Sequence, residues 1–134
     1  MSESTDTASD GEPQHREVLI VGGGVAGLTA ALFTARAGLD TLVYDGGESI
    51  LRRNAHLENF PGFPAGVNPR LFADMLHAQA TRNGVDLVAG RITALRRGED
   101  GEFVATAEDG VEVSADRVIA ASWSNTDYLD PRAP

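Results

Sequence analysis

Apolar positions along the chain fall into short unbroken runs and helix-period stretches, separated by glycine-rich punctuation. Val18-Leu19-Ile20-Val21 is one such run. It has the pattern of a strand buried on both faces of a parallel sheet, expected over Glu17–Val21. From Val25 to Ala37, Leu28, Leu32 and Ala35 share one helical face. Ala26, Ala30 and Ala31 keep that helix slim enough to approach a sheet closely. Gly38 is placed to cap its C-terminus, and Asp40 sits in the turn. Thr41–Tyr44 is a second apolar strand, which completes a βαβ unit of about 30 residues.

Residues Glu48 to Val67 break the periodicity. A loop of that length is functional or disordered, and its aromatic and proline content predicts an ordered one. The next helix is well marked, with Asn68 at the N-cap, Pro69 in the first turn and Gly84 just past the end. Leu71, Phe72, Met75, Leu76 and Ala80 form its expected apolar stripe. Asp86–Ala89 reads as a third strand. Arg91–Arg97, Glu102–Ala107 and Val111–Ser114 read as a meander, with turns at Glu99-Asp100-Gly101 and Glu108-Asp109-Gly110. Arg117–Ala121 is a last apolar strand, and Ser122–Pro134 shows no clear element. The expected organisation is a disordered acidic tail over residues 1–16, a dinucleotide-binding domain over 17–124, and an irregular tail over 125–134.

The glycines between the first strand and the first helix carry the chemistry. Gly22-Gly23-Gly24-Val25-Ala26-Gly27 is a G-x-G-x-x-G fingerprint in the context that gives it meaning. Gly22 can make the turn out of the strand. Gly24 lets a pyrophosphate approach the backbone, and Gly27 lets helix and strand pack closely. The first-turn N–H groups, those of Val25 and Ala26 among them, then face the phosphates with the helix dipole behind them. Asp45 ends the second strand, 18 residues after Gly27. A carboxylate there can accept hydrogen bonds from the adenosine ribose hydroxyls and repel a 2′-phosphate. The competing reading is a turn former before Gly46-Gly47.

Composition narrows the class. The 134 residues contain no cysteine, which excludes disulfides and thiolate chemistry within this sequence. No apolar run approaches the roughly 20 residues of a membrane helix. The N-terminal stretch has no apolar core of a secretory signal, so a cytoplasmic protein is expected. A net charge of −9 argues against nucleic acid as a partner. All 11 basic residues are arginine. A lysine-free, acidic, alanine-rich chain fits a halophile, whose carboxylates stay hydrated in concentrated salt. A GC-rich genome with a mildly acidic enzyme is the alternative.

Three segments resemble the FAD-binding part of the thioredoxin reductase-like flavoproteins, within the pyridine nucleotide-disulfide oxidoreductase family. They are VLIVGGGVAGLTAALFTAR over Val18–Arg36, then Glu58-Asn59-Phe60-Pro61-Gly62-Phe63 with Leu71, Met75 and Gln79-Ala80, and the meander ending in Asp116-Arg117-Val118-Ile119-Ala120-Ala121. The second segment separates this family from plain nicotinamide-binding domains. The resemblance implies an α/β fold: a Rossmann-like FAD-binding domain, a parallel sheet with a β-meander, here lacking the family's inserted nicotinamide domain. It implies FAD as cofactor, with Gly22, Gly24 and Gly27 at the pyrophosphate, Val25, Ala26 and Gly46 beside them, and Asp45 on the ribose. By the same resemblance Asn59 contacts the cofactor, and Ile92 offers backbone to the adenine. The residues alone allow plainer roles, Asn59 shaping a turn and Ile92 filling the core.

The departures from that pattern are specific. The family's Ala-Thr-Gly turn is replaced by Ala120-Ala121-Ser122-Trp123, and no second fingerprint, Cys-x-x-Cys or closing Gly-Asp segment is present. NAD or NADP as electron donor therefore has no expected site in this sequence. Completion is expected from a homodimer mate, a separate redox partner chain or a longer parent protein. Two functions stay open: an FAD-dependent oxidoreductase domain, or a non-catalytic module for FAD, NAD or ADP. Other chemistry is thin. His15 is expected in the disordered tail, and His77 as a surface histidine with only Asp74 nearby. His56 beside Glu58 is a general acid–base candidate or a plain turn histidine. Arg52-Arg53 either neutralises phosphate or forms a solvated patch. No metal site is expected.

Overall fold

The computed structural model describes residues 13–47, 49–53, 55–122 and 126–130. Eight regular elements follow one another: β1 (Gln14–Val21), α1 (Val25–Arg36), β2 (Thr41–Asp45), α2 (Pro69–Arg82), β3 (Asp86–Ala89), β4 (Ile92–Arg97), β5 (Phe103–Ala107) and β6 (Glu112–Ala120). The strands form one sheet in the order β3-β2-β1-β6-β5-β4. The first four run parallel, and β5 and β4 are added antiparallel at the other end. The result is a Rossmann-like α/β half fused to a meander.

The apolar run of β1 serves both faces of the sheet. Val18 and Ile20, with Val43 of β2, pack under Leu28 and Ala31 of α1 and Ala80 of α2. Leu19 and Val21, with Leu42 and Tyr44, face the other way into a cluster with Ile92, Ala105, Val113 and Tyr128. The period-2 alternation of strand side chains divides one run between two cores.

α1 ends one residue before the expected Ala37, with Gly38 at φ +87° beyond it. The Asn68 side chain accepts from the Arg70 and Leu71 N–H groups at 2.9 and 3.3 Å, so the cap of α2 falls where expected. Its apolar stripe falls there in part, with Leu76 also packed on the core. Phe72, Ala73 and Ala80 are buried, whereas Leu71 and Met75 lie largely in solvent. Phe60 and Phe63 from the preceding loop pack on Phe72, which turns that side of the helix inward.

Three boundaries differ from the expectation. β1 begins at Gln14, so residues 14–16, assigned above to the tail, are strand paired with Val113–Ala115. Backbone pairing, rather than burial of side chains, recruits them. Residues 1–12 of the expected tail lie outside the described residues. Second, the expected strands Val111–Ser114 and Arg117–Ala121 are one strand, β6. Residues 112–115 pair with β5 and 113–120 with β1, so the polar Asp116-Arg117 that divides the apolar pattern lies within a continuous strand. Third, the expected irregular tail contains a 3-10 turn, Asp127–Leu129, that seats Tyr128 in the core. The Tyr128 hydroxyl lies 2.7 Å from Ser122 Oγ.

Candidate functional site

The parallel strands end together, and the loops leaving β1, β2, β3 and β6 enclose a cavity of about 240 Å³. This is the crevice beyond the carboxyl ends of the strands, where open α/β sheets bind ligands. The turn after β1 is held from both sides. The Gly22 N–H donates to the Tyr44 carbonyl at 2.9 Å, and the Ala121 N–H donates to the Val21 carbonyl at 2.8 Å. Gly22 has φ +118°, and a Cβ on it would lie 2.6 Å from the Ala121 carbonyl oxygen. Only glycine suits that position.

Each of the remaining fingerprint glycines is required by something different. A Cβ on Gly27 would overlap the Gly22 carbonyl oxygen, so the helix leans on the turn itself more closely than on the strand. On Gly23 a Cβ would overlap the Asp45 carboxylate, which rests directly above it. Gly24 is the open one: a Cβ there would meet only Ser49, its hydroxyl at 3.2 Å. Gly24 is the N-cap of α1, no side chain caps the helix, and its carbonyl accepts the Leu28 N–H at 2.9 Å. The first-turn N–H groups therefore have no side-chain cap among the described residues.

Gly22, Gly24, Val25, Ala26, Asp45, Gly46 and Ile92 all line this cavity. Asp45 Oδ1 accepts the Gly47 N–H at 2.8 Å, so the residue both shapes the turn and faces the cavity. Two predicted site residues lie elsewhere. Gly27 is buried beneath the turn, and Asn59 is exposed on the loop outside the lining. Ile92 is buried at 1% exposure and joins the core as well as the cavity wall.

Sequence reading missed Gly23, Ser49, Arg91 and Ser122, all of which also line the cavity. The fingerprint leaves its second position free, so nothing in it marks Gly23. Arg91, directly before Ile92, is the cationic residue of this lining. Tyr44 forms part of that wall too, and burial pushes its phenol above the ordinary range. Asp109 adds to that rise and Arg16 opposes it.

Two of the three histidines are arranged differently from expectation. His15 is in β1, with Nδ1 2.8 Å from Ser114 Oγ and Nε2 3.1 Å from Asp116 Oδ1. His77 does not stand alone with Asp74: its Nε2 lies 3.4 Å from Asp45 Oδ2. The placing of α2 beside the end of β2 brings together residues that sequence spacing keeps apart. His56 Nε2 is 3.5 Å from Glu58 Oε2 on an exposed loop, stacked where Gly66 leaves room. Among the described residues no group of three or more potential metal ligands converges. Arg53 is exposed, whereas the Arg52 side chain, Glu48 and Trp123 fall outside the described residues.

Comparison with known proteins agrees with this architecture. Residues 16–130 match the family model described as pyridine nucleotide-disulphide oxidoreductase. The thioredoxin reductase of Streptomyces coelicolor is 42% identical over 83 residues, covering 60% of this chain and 26% of that protein. The bifunctional thioredoxin reductase/thioredoxin of Mycobacterium leprae is 36% identical over 115 residues, covering 84% of this chain and 25% of that protein. In three dimensions the chain resembles the atypical thioredoxin reductase of Desulfovibrio vulgaris Hildenborough. The TM-score is 0.75 at 37% identity, over 83% of this chain and 37% of that one. The chain therefore spans about a quarter of the length of the curated relatives it matches. With its fingerprint turn, its fold and a family match over nearly all of its described residues, the chain belongs to the pyridine nucleotide-disulphide oxidoreductase family.

Proposed function

We propose that this chain is the FAD-binding domain of a thioredoxin reductase-like oxidoreductase and grips the adenosine and pyrophosphate half of the cofactor. The observation that carries the reading is the start of α1. It is uncapped by any side chain, opens through Gly24 onto the cavity, and has the Asp45 carboxylate across from it. Backbone N–H groups and a positive dipole end suit a pyrophosphate. A carboxylate at the end of β2 suits the two ribose hydroxyls. Ser49 and Arg91 would add a hydroxyl and a cation to the same wall. The flavin, when bound, supplies the redox chemistry. NAD or NADP would serve as electron donor, and a homodimer mate or separate redox chain would complete the reaction.

The exposure of Asn59 outside the cavity favours a second reading, in which the domain holds FAD, NAD or ADP without redox turnover. The purified protein at high salt separates the two. A yellow flavin spectrum bleached by NADH or NADPH supports the oxidoreductase. A colourless protein stabilised by ADP or NAD and indifferent to FAD supports the module. Gly24→Val is expected to weaken either ligand at least tenfold while keeping the fold, because its side chain fills the phosphate approach. Wild-type affinity for FAD and ADP in that variant would overturn the placement of the pyrophosphate. Among the described residues no helix is long and apolar enough to cross a membrane. The acidic, lysine-free composition supports placing the protein in a salt-rich cytoplasm, with no nucleic acid or membrane partner.

A further inference from the structure

We propose that His77 is a positioning residue for the ribose site: it holds Asp45 in the orientation that receives the adenosine hydroxyls. The inference rests on the reading of the cavity as an adenine-nucleotide site. Asp45 is the acid of that cavity, and its side chain is only 16% exposed. A carboxylate so enclosed needs partners for both oxygens. Oδ1 has the Gly47 N–H at 2.8 Å, and Oδ2 has His77 Nε2 at 3.4 Å. Gly23 supplies the floor, since a side chain there would displace the carboxylate. Held from the loop, from α2 and from below, the carboxylate has one place to stand.

An ionised carboxylate offers about four acceptor positions on its two oxygens. One is used by the Gly47 N–H, and His77 Nε2 pairs with the other oxygen at 3.4 Å, which leaves acceptor capacity for two hydroxyls. His77 is not itself among the lining residues. It stands behind the carboxylate rather than against the ligand, so its effect on binding passes through Asp45.

The test measures Kd for ADP and for 2′,3′-dideoxy-ADP on the full chain, in wild type, Asp45→Asn, His77→Leu and His77→Gln. Circular dichroism confirms folding of each. Wild type should prefer ADP, and Asp45→Asn should abolish the preference. His77→Leu should weaken ADP binding about five- to tenfold, the scale of one ordinary polar interaction lost. The same variant should leave dideoxy-ADP within about twofold. His77→Gln, which keeps an N–H donor, should restore most of the preference. Full preference retained in His77→Leu would overturn the inference while the ribose reading of Asp45 stands. Equal losses for both ligands, or a glutamine variant no better than leucine, would also overturn it, because packing alone would then account for the effect. If wild type shows no preference, the ribose reading falls and the inference falls with it.

Discussion

The four fingerprint glycines show how much a missing side chain can determine. Gly22 yields to Ala121, Gly23 to Asp45, Gly27 to Gly22, and Gly24 to almost nothing within the protein. Gly24, where a Cβ would meet only Ser49, is the position at which the proposed pyrophosphate would approach. Gly27→Ala is therefore expected to cost stability, about 3 kcal/mol, because the turn's carbonyl must move to admit the methyl group. Chemical denaturation measures the loss. Tyr44 makes a pH prediction at the same scale. Its folded-state pKa is raised by burial above the unfolded value. The neutral phenol is therefore favoured in the native state, and that contribution is intact below about pH 10. It is lost as pH rises from the unfolded value through the folded one. Tyr44→Phe should flatten the decline in unfolding free energy between about pH 9 and pH 11 relative to wild type; an unchanged slope would count against it.

At the scale of elements, the sequence was most informative where local chemistry decides. The Asn68 cap, the Pro69 start and the glycine fingerprint depend on neighbours within a few residues, and the structure has the elements they mark. Asn68→Ala is expected to lower stability by about 1 kcal/mol, seen as a shifted urea midpoint with unchanged slope. What sequence alone did not reveal depends on distant partners. The ends of β6 are set by β5 on one side and β1 on the other, so Asp116-Arg117 breaks the apolar pattern without breaking the strand. The rotation of α2 is set by Phe60 and Phe63, which bury Phe72 and leave Leu71 and Met75 outside. His77 is the functional form of the same limit. Its partner Asp45 is on another element, where no i, i+4 reading can find it. Tyr128 lies in a stretch without periodicity, and only the core it fills identifies its role.

For the whole molecule the governing quantity is charge. A formal charge of −9 on 134 residues destabilises the compact state by self-repulsion, and salt relieves it by screening. The melting temperature should rise steadily from low salt to molar salt, with loss of the circular dichroism signal on dialysis to low salt. A melting temperature indifferent to salt would remove the halophilic reading and leave the fold assignment untouched.

The pairing of β1 with β6 also governs when the site can exist during synthesis. His15 and Ser114 stand side by side across that pair, 99 residues apart in sequence. β1 is made well before β6, and its edge on that side stays unpaired until β6 arrives. Contacts this distant in sequence slow folding. The turn at Gly22 likewise lacks its neighbour Ala121 until that residue has been made. A nascent chain halted before Glu112 would carry an open parallel edge, prone to pair with other chains, and a phosphate loop with one wall missing. Nucleotide affinity should therefore appear abruptly as the chain lengthens, once β6 reaches β1.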